Sequence, residues 1–181
     1  MNLLKICVRF LCAMSVAGAS FLVTPAAMAS SAIPIRIVIP SVHVDAAIDP
    51  LGITRSGHMA APNNFSDAGW YKYGPQPGDS GNAIIDGHYE SGTNAQKIPT
   101  PGVFQNLHAI QVGDDIEVVS VDGTSHHFTV ISVGLMNKDA SMKPVMMSNG
   151  TSRLVLITCA GIWLPKQGTF SERLIVTAVL A

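Results

Sequence analysis

From residue 33 to the C-terminus the chain is a succession of short apolar or alternating runs, each closed off by Gly, Pro, Asn or Asp. Successive side chains leave a strand on opposite faces, so runs of this length and period read as β-strands. Eight segments stand out: 35–39, 43–48, 69–73, 82–86, 115–121, 127–133, 153–159 and 173–180. Turn chemistry separates them at Gly57, at Pro62-Asn63-Asn64, across 75–81, at Val121-Asp122-Gly123 and at Asn149-Gly150. Asp-Gly between two β-rich runs is a hairpin signal. Helical periodicity is scarce, with single turns expected near 104–107 and 144–147. There is no internal repeat and no low-complexity tract. The pattern predicts an all-β domain, either a closed barrel or a sandwich.

One run differs from the others. In 153–159, Leu154, Leu156 and Thr158 alternate with Val155, Ile157 and Cys159, so both faces are apolar. Such a strand belongs at the centre of a sheet, covered on both sides. If it pairs antiparallel with 173–180, its end lies beside the start of that strand. Cys159 and Arg173 then meet at one rim, joined by a loop over 160–172. A cation there favours a thiolate, and also the oxyanion that forms when a thiolate attacks a carbonyl.

The N-terminus has a different composition. Lys5 and Arg9 precede an uncharged stretch over 10–23, and Ala27-Met28-Ala29 supplies a small-x-small cleavage pattern. Residues 1–29 are therefore expected to be a signal peptide or an N-terminal membrane anchor, with 30–34 a linker and 35–181 the folded domain. Cys7 and Cys12 fall in the leader, which leaves Cys159 as the single thiol of an exported domain. Exported domains usually pair their cysteines, so a lone one calls for an explanation. It is either a small hydrophobe in the core or a nucleophile. With 48% hydrophobic and 13% charged residues and a formal net charge of −1, the chain lacks the basic footprint of a nucleic-acid binder.

A cysteine nucleophile needs a proton partner, most often histidine. His126 and His127 are adjacent and would point to opposite faces of a strand. His43, His58 and His108 read as solvated loop or strand residues. His88 follows the strand-like Asn-Ala-Ile-Ile-Asp and a glycine, so it stands where a strand leaves the sheet. It reaches the cysteine's rim only if 82–86 runs parallel to 153–159. Asp86 and Glu90 flank it and are candidates to orient it, although surface carboxylates near a turn are the commoner case. No CxxC or HExxH spacing and no glycine-rich phosphate loop is present, so neither metal nor cofactor is expected.

Several segments, taken in order, resemble the sortases, cysteine transpeptidases of bacterial cell surfaces. They are IPIRIVIPSVHVDAAI, GHMAAPNNFSDAGWYKYGPQPGDSGNAIIDGHY, VFQNLHAIQVGDDIEVV, LITCAG and FSERLIVTAVL. The resemblance implies a closed eight-stranded sortase-like β-barrel with one or two short helical turns, in which the His and Cys strands are parallel neighbours. It assigns Cys159 as nucleophile, His88 as acid/base and Arg173 as stabiliser of substrate and oxyanion, with Thr158 helping to shape the oxyanion site. Met146, Met147, Ile162 and Trp163 join Thr158 as expected substrate-binding residues, and Met136 and Met142 share the same apolar wall. The compact domain looks most like the small class E and F enzymes, or class D. The carboxylate cluster that binds calcium in some class A members is not evident.

The implied partners are surface proteins with a C-terminal LPxTG or LAxTG sorting motif and an amine acceptor, a peptidoglycan precursor or a pilin lysine. The enzyme is expected as a monomer outside the cytoplasm, held to the membrane if the leader stays uncut. Leu164–Gly168, LPKQG, resembles a sorting signal but leads back into the domain, which argues for an ordinary loop. Two other readings remain open: a cysteine endopeptidase or hydrolase without transfer, and a non-catalytic cell-wall-binding barrel in which Cys159 is packing.

Overall fold

The computed structural model describes residues 33–91, 99–147 and 150–181. Eight strands close into a barrel in the order β1-β2-β3-β4-β7-β8-β6-β5. They are β1 (Pro34–Ile39), β2 (Val44–Leu51), β3 (Ala68–Tyr71), β4 (Gly81–Gly87), β5 (Asp115–Ser120), β6 (Ser125–Asn137), β7 (Ser152–Leu164) and β8 (Thr169–Leu180). The expected leader and most of the linker lie outside the described residues.

Period-two patterning places the core. Ile37 and Ile39, Val44 and Ile48, Ile116 and Val118, Phe128 and Val130, Leu154 and Leu156, and Leu174 and Val176 all point inward and are buried. In β2 the intervening Asp45, Ala47 and Asp49 are exposed, as alternation requires of a strand with one wet face. β4 and β7 break that rule, because their outward Ile84 and Val155 are buried too. Part of the cover is helix α1 (Lys143–Met146). The Asn82 amide fastens it across β4 by donating to the carbonyls of Val145 at 2.8 Å and Met147 at 3.1 Å.

The topology contains the parallel pair that the histidine required, β4 beside β7, and a second one between β2 and β3. The expected turns form one to three residues away from their predicted positions, as a 3-10 turn at Leu107–Ala109 and as α1. The largest departure concerns β7. It does not end at Cys159 but runs on to Leu164, and β8 begins at Thr169, so the expected loop over 160–172 is a long hairpin instead. A register shift between Ala160 and Trp163 absorbs the extra residue as a bulge, a device that bends a strand without ending it. Leu164–Gly168 closes this hairpin, with the Gln167 and Gly168 amides donating to the Leu164 carbonyl.

Candidate active site

Cys159 on β7 and Arg173 on β8 are register partners in the antiparallel β7–β8 pair. Opposed residues project to the same side of a sheet, so both side chains emerge on the outer face of the barrel. On the other flank, β4 pairs parallel with β7 from Gly81↔Ser152 to Asp86↔Ile157. His88 lies two residues beyond Asp86, the same advance that separates Cys159 from Ile157. The chain thus brings His88 to the level of Cys159.

Thr158 ties the two strand ends together. Its side chain points inward and is 3% exposed, and its hydroxyl donates to the Gly87 carbonyl at 2.8 Å. The backbone after β4 is held equally firmly: the Phe104 amide donates to the His88 carbonyl at 3.0 Å, and the Gly102 amide to the Tyr89 carbonyl at 2.8 Å. A Cβ at residue 102 would lie 2.1 Å from the His88 carbonyl oxygen, so only glycine allows this approach. The His88 ring stacks on Phe65, with centroids 4.1 Å apart, and Nε2 donates to the Pro62 carbonyl at 2.8 Å. A carbonyl only accepts, so Nε2 carries the proton in the neutral ring and Nδ1 is the nitrogen left to exchange one.

A sequence model of the Sortase domain matches residues 37–181. The chain belongs to the sortase family of cysteine transpeptidases. Its fold is similar to that of sortase C-1 from Actinomyces oris, at 24% identity and a TM-score of 0.60, over 82% of this chain and 74% of that one. Sortase D5 transpeptidase from Clostridium perfringens is 22% identical, with a TM-score of 0.59 over 83% of this chain and 79% of its own. A lid mutant of sortase A from Corynebacterium diphtheriae is 20% identical, with a TM-score of 0.59 over 82% and 70%. No curated protein sequence matches this one.

In this sortase the cysteine is free and half-buried. Burial pushes its thiol up from the ordinary range, the Arg173 guanidinium pulls it down, and Asp86 pushes it up again. Burial dominates, so the thiolate is a minority species near neutral pH. Arg173 is itself held by the start of its own strand. Nη1 donates to the carbonyls of Phe170 at 3.2 Å and Glu172 at 2.8 Å, and Nη2 to Thr169 Oγ1 at 3.2 Å.

Two cavities flank the pair. A groove of about 370 Å³ over β4 and β7 is lined by Ile84, Met142, Met146, Ile157 and Arg173 among others. A smaller pocket of about 230 Å³ is lined by Cys159 itself, with Tyr89, His108 and Leu135 around it. Of the residues expected to contact substrate, Met146 and Met142 line the groove and Thr158 lines the smaller pocket. Met147 and Ile162 are exposed, at 65% and 70%, and line neither cavity. Trp163 packs edge-on against Phe170, with centroids 5.1 Å apart, on the far arm of the hairpin. The continuation of β7 carries Ile162 and Trp163 past the cysteine, and Met147 follows the last residue of α1.

Three residues were undervalued on sequence. His58 and Asp86 line the groove, and His108 lines the smaller pocket. Nothing in the local sequence of the histidines marks them. Asp86 had a signal, an acid directly after the apolar run Ala83-Ile84-Ile85 of a strand. Neither Asp86 nor Glu90 makes a side-chain hydrogen bond to His88 among the described residues; the ring's Nε2 donates to the Pro62 carbonyl instead, and Glu90 pairs with Pro101 through its backbone alone. Among the described residues no cluster of three His, Cys, Asp or Glu could hold a metal ion.

Proposed function

We propose that this sortase cleaves a sorting motif of the LPxTG or LAxTG kind between Thr and Gly and transfers the protein to an amine. The observation that carries the reading is the convergence of Cys159, Arg173 and the β4 exit at His88 beside an apolar groove. The Cys159 thiolate attacks the threonine carbonyl, and its sulfur lone pair becomes the C–S bond. The resulting oxyanion faces Arg173. As the C–N bond breaks, the His88 imidazolium passes a proton to the departing glycine amine, leaving a thioacyl-enzyme. An incoming amine then attacks the thioester, His88 takes up the amine proton, and Cys159 leaves as thiolate. The nitrogen turned away from Pro62, Nδ1, is the one that exchanges these protons.

The donors are surface proteins bearing the motif at their C-terminus. The acceptor is a peptidoglycan precursor or a pilin lysine, and the work is done outside the cytoplasm, with residues 1–29 as signal peptide or anchor. The methionines at 142 and 146 offer an adaptable apolar wall to the Leu-Pro or Leu-Ala pair.

The test is to incubate the full chain with LPxTG and LAxTG peptides and an amine, and to follow both protein and products by mass spectrometry. A mass addition on Cys159 together with a ligated peptide is expected. Hydrolysed product alone would favour a peptidase. A Cys159 that neither acylates nor alkylates would favour the packing role.

A further inference from the structure

The reaction above leaves the smaller pocket, which Cys159 lines, without an occupant. Tyr89, the residue after His88, lines it too. An amine that leaves or attacks the acyl group exchanges its proton with His88, so it passes on the side of the cysteine where the His88–Tyr89 segment stands. Much of the remaining lining is apolar: Leu135, Leu174, Ala160 and Gly161. Thr158, Leu174 and Leu135 are register partners across β7, β8 and β6, and so share one face. On that face Thr158 and Leu174 are 3% and 5% exposed, whereas Leu135 is 62% exposed. A leucine left open beside two covered partners offers a ligand apolar surface to bury.

Polar side chains narrow the choice of ligand. Among the described residues no lysine or arginine lines the pocket, whereas Arg173 and Lys138 both line the groove. An alkyl amine is mostly charged at neutral pH, so it meets repulsion in the groove and none from the pocket. The Thr158 hydroxyl is spent on the Gly87 carbonyl. His108 holds the Gln105 carbonyl through Nδ1 at 3.0 Å. A carbonyl only accepts, so Nδ1 carries the proton in the neutral ring and Nε2 is left as an acceptor for an N–H. Apolar walls with one such acceptor suit an amine on an unbranched alkyl stem, as in lysine. The stem lies along apolar surface while the nitrogen seeks a polar partner. A glycyl amine instead brings peptide groups that the side chains of Leu135, Leu174 and Ala160 cannot satisfy.

We propose that this pocket is the acceptor subsite and takes an amine on an alkyl stem, with His108 Nε2 accepting one N–H hydrogen bond and leaving the nitrogen lone pair to attack the thioester. The assignment rests on the transpeptidase reading. The experiment acylates the full chain with an LPxTG or LAxTG peptide and measures the acceptor KM and the ratio of ligated to hydrolysed product. Three acceptors are compared: an N-acetylated lysine peptide, a peptidoglycan stem peptide with a free lysine, and triglycine. A lysine acceptor should show a lower KM than triglycine. Either lysine form doing so supports the assignment, and the better of the two names a protein or the cell wall as its source. His108→Ala should raise the lysine KM on the order of tenfold and the triglycine KM by less than about twofold. His108→Gln, which keeps an acceptor, should retain most of the affinity. His108 is exposed, so these substitutions spare the core. Each acceptor is compared between variants, so its own basicity cancels. A lower KM for triglycine in the wild type, a lysine KM unchanged in His108→Ala, or an affinity lost in Tyr89→Phe instead overturns the assignment and leaves the transpeptidase reading standing. Hydrolysis alone with every amine, or no acylation by any peptide, removes the transpeptidase reading and the assignment with it.

Discussion

Cys159 and Arg173 stand directly opposite each other across the β7–β8 pair, on the outer face of a strand that continues five residues beyond the cysteine. The nucleophile is therefore not at a frayed strand end. It is fixed in the middle of a ladder, with a cation fixed beside it. Among the described residues Arg173 is the neighbour that pulls the thiol down against burial. Arg173→Ala should move the alkylation profile of Cys159 to higher pH and slow its reaction with iodoacetamide at pH 7.5. Turnover should fall more steeply, on the order of 100-fold, because the oxyanion loses its cation as well. An alkylation profile unchanged in Arg173→Ala would mean that the guanidinium does not reach the thiol.

Asp86 acts on the same thiol with the opposite sign, and its burial also affects stability. The carboxyl is pushed up from 3.8 to about 7 by desolvation. Because the folded-state value is the higher one, the folded protein holds this proton more tightly than the unfolded chain. Stability from this group is complete below about pH 4, is lost as pH rises to 7, and stays lost above. A shift of this size corresponds to at most about 4 kcal/mol. Asp86→Asn should be free of that loss, so its Tm advantage over wild type should grow between pH 4 and pH 7 and level off above. Parallel Tm curves would show that the carboxyl is solvated. The same variant should alkylate faster at pH 8, since a negative neighbour of the thiolate is gone.

The extent to which sequence anticipated this site follows from how local each signal is. Cys159 and Arg173 were legible because their strands are strongly apolar and adjacent in the chain, so antiparallel pairing alone brings them together. His88 demanded a parallel neighbour from a distant segment, and periodicity cannot supply neighbours; it only states the condition that β4 and β7 then meet. The continuation of β7 was illegible for a different reason. Ala160-Gly161 reads as a break, but a bulge lets the ladder pass through it, and cross-strand pairing with Phe170 and Thr169 outweighs local propensity. The second wall of the groove, α1, was legible as a turn, although its fastening by the Asn82 amide was not.

Thr158 is a structural tie as much as a neighbour of the nucleophile. Its buried hydroxyl satisfies the Gly87 carbonyl, one residue before His88. Thr158→Val keeps the branched shape and removes the donor, leaving a buried carbonyl without its partner, which should cost about 1–2 kcal/mol in urea unfolding. Thr158→Ser keeps the hydrogen bond and should lose less than half as much activity as the valine variant. Valine and serine variants of equal stability and equal turnover would remove the tie from the account.

Gly102 offers the sharpest separation of histidine placement from thiol chemistry. Its backbone passes so close under His88 that an added Cβ would meet the carbonyl carbon at 2.4 Å and the oxygen at 2.1 Å. Neither atom belongs to a flexible side chain, so the strand exit must move. Cys159 and Arg173 pair with each other on β7 and β8, and the displaced exit reaches them only through the Thr158 hydroxyl on Gly87 and the β4–β7 ladder. Gly102→Ala should therefore keep the Cys159 alkylation profile of the wild type while losing acyl transfer by at least tenfold, with a stability loss of about 2 kcal/mol from the strained contact. Full turnover in Gly102→Ala would show that the imidazole works from a range of positions. Loss of alkylation alongside transfer would place the damage in the barrel as a whole, and differential scanning calorimetry on the same sample distinguishes that case.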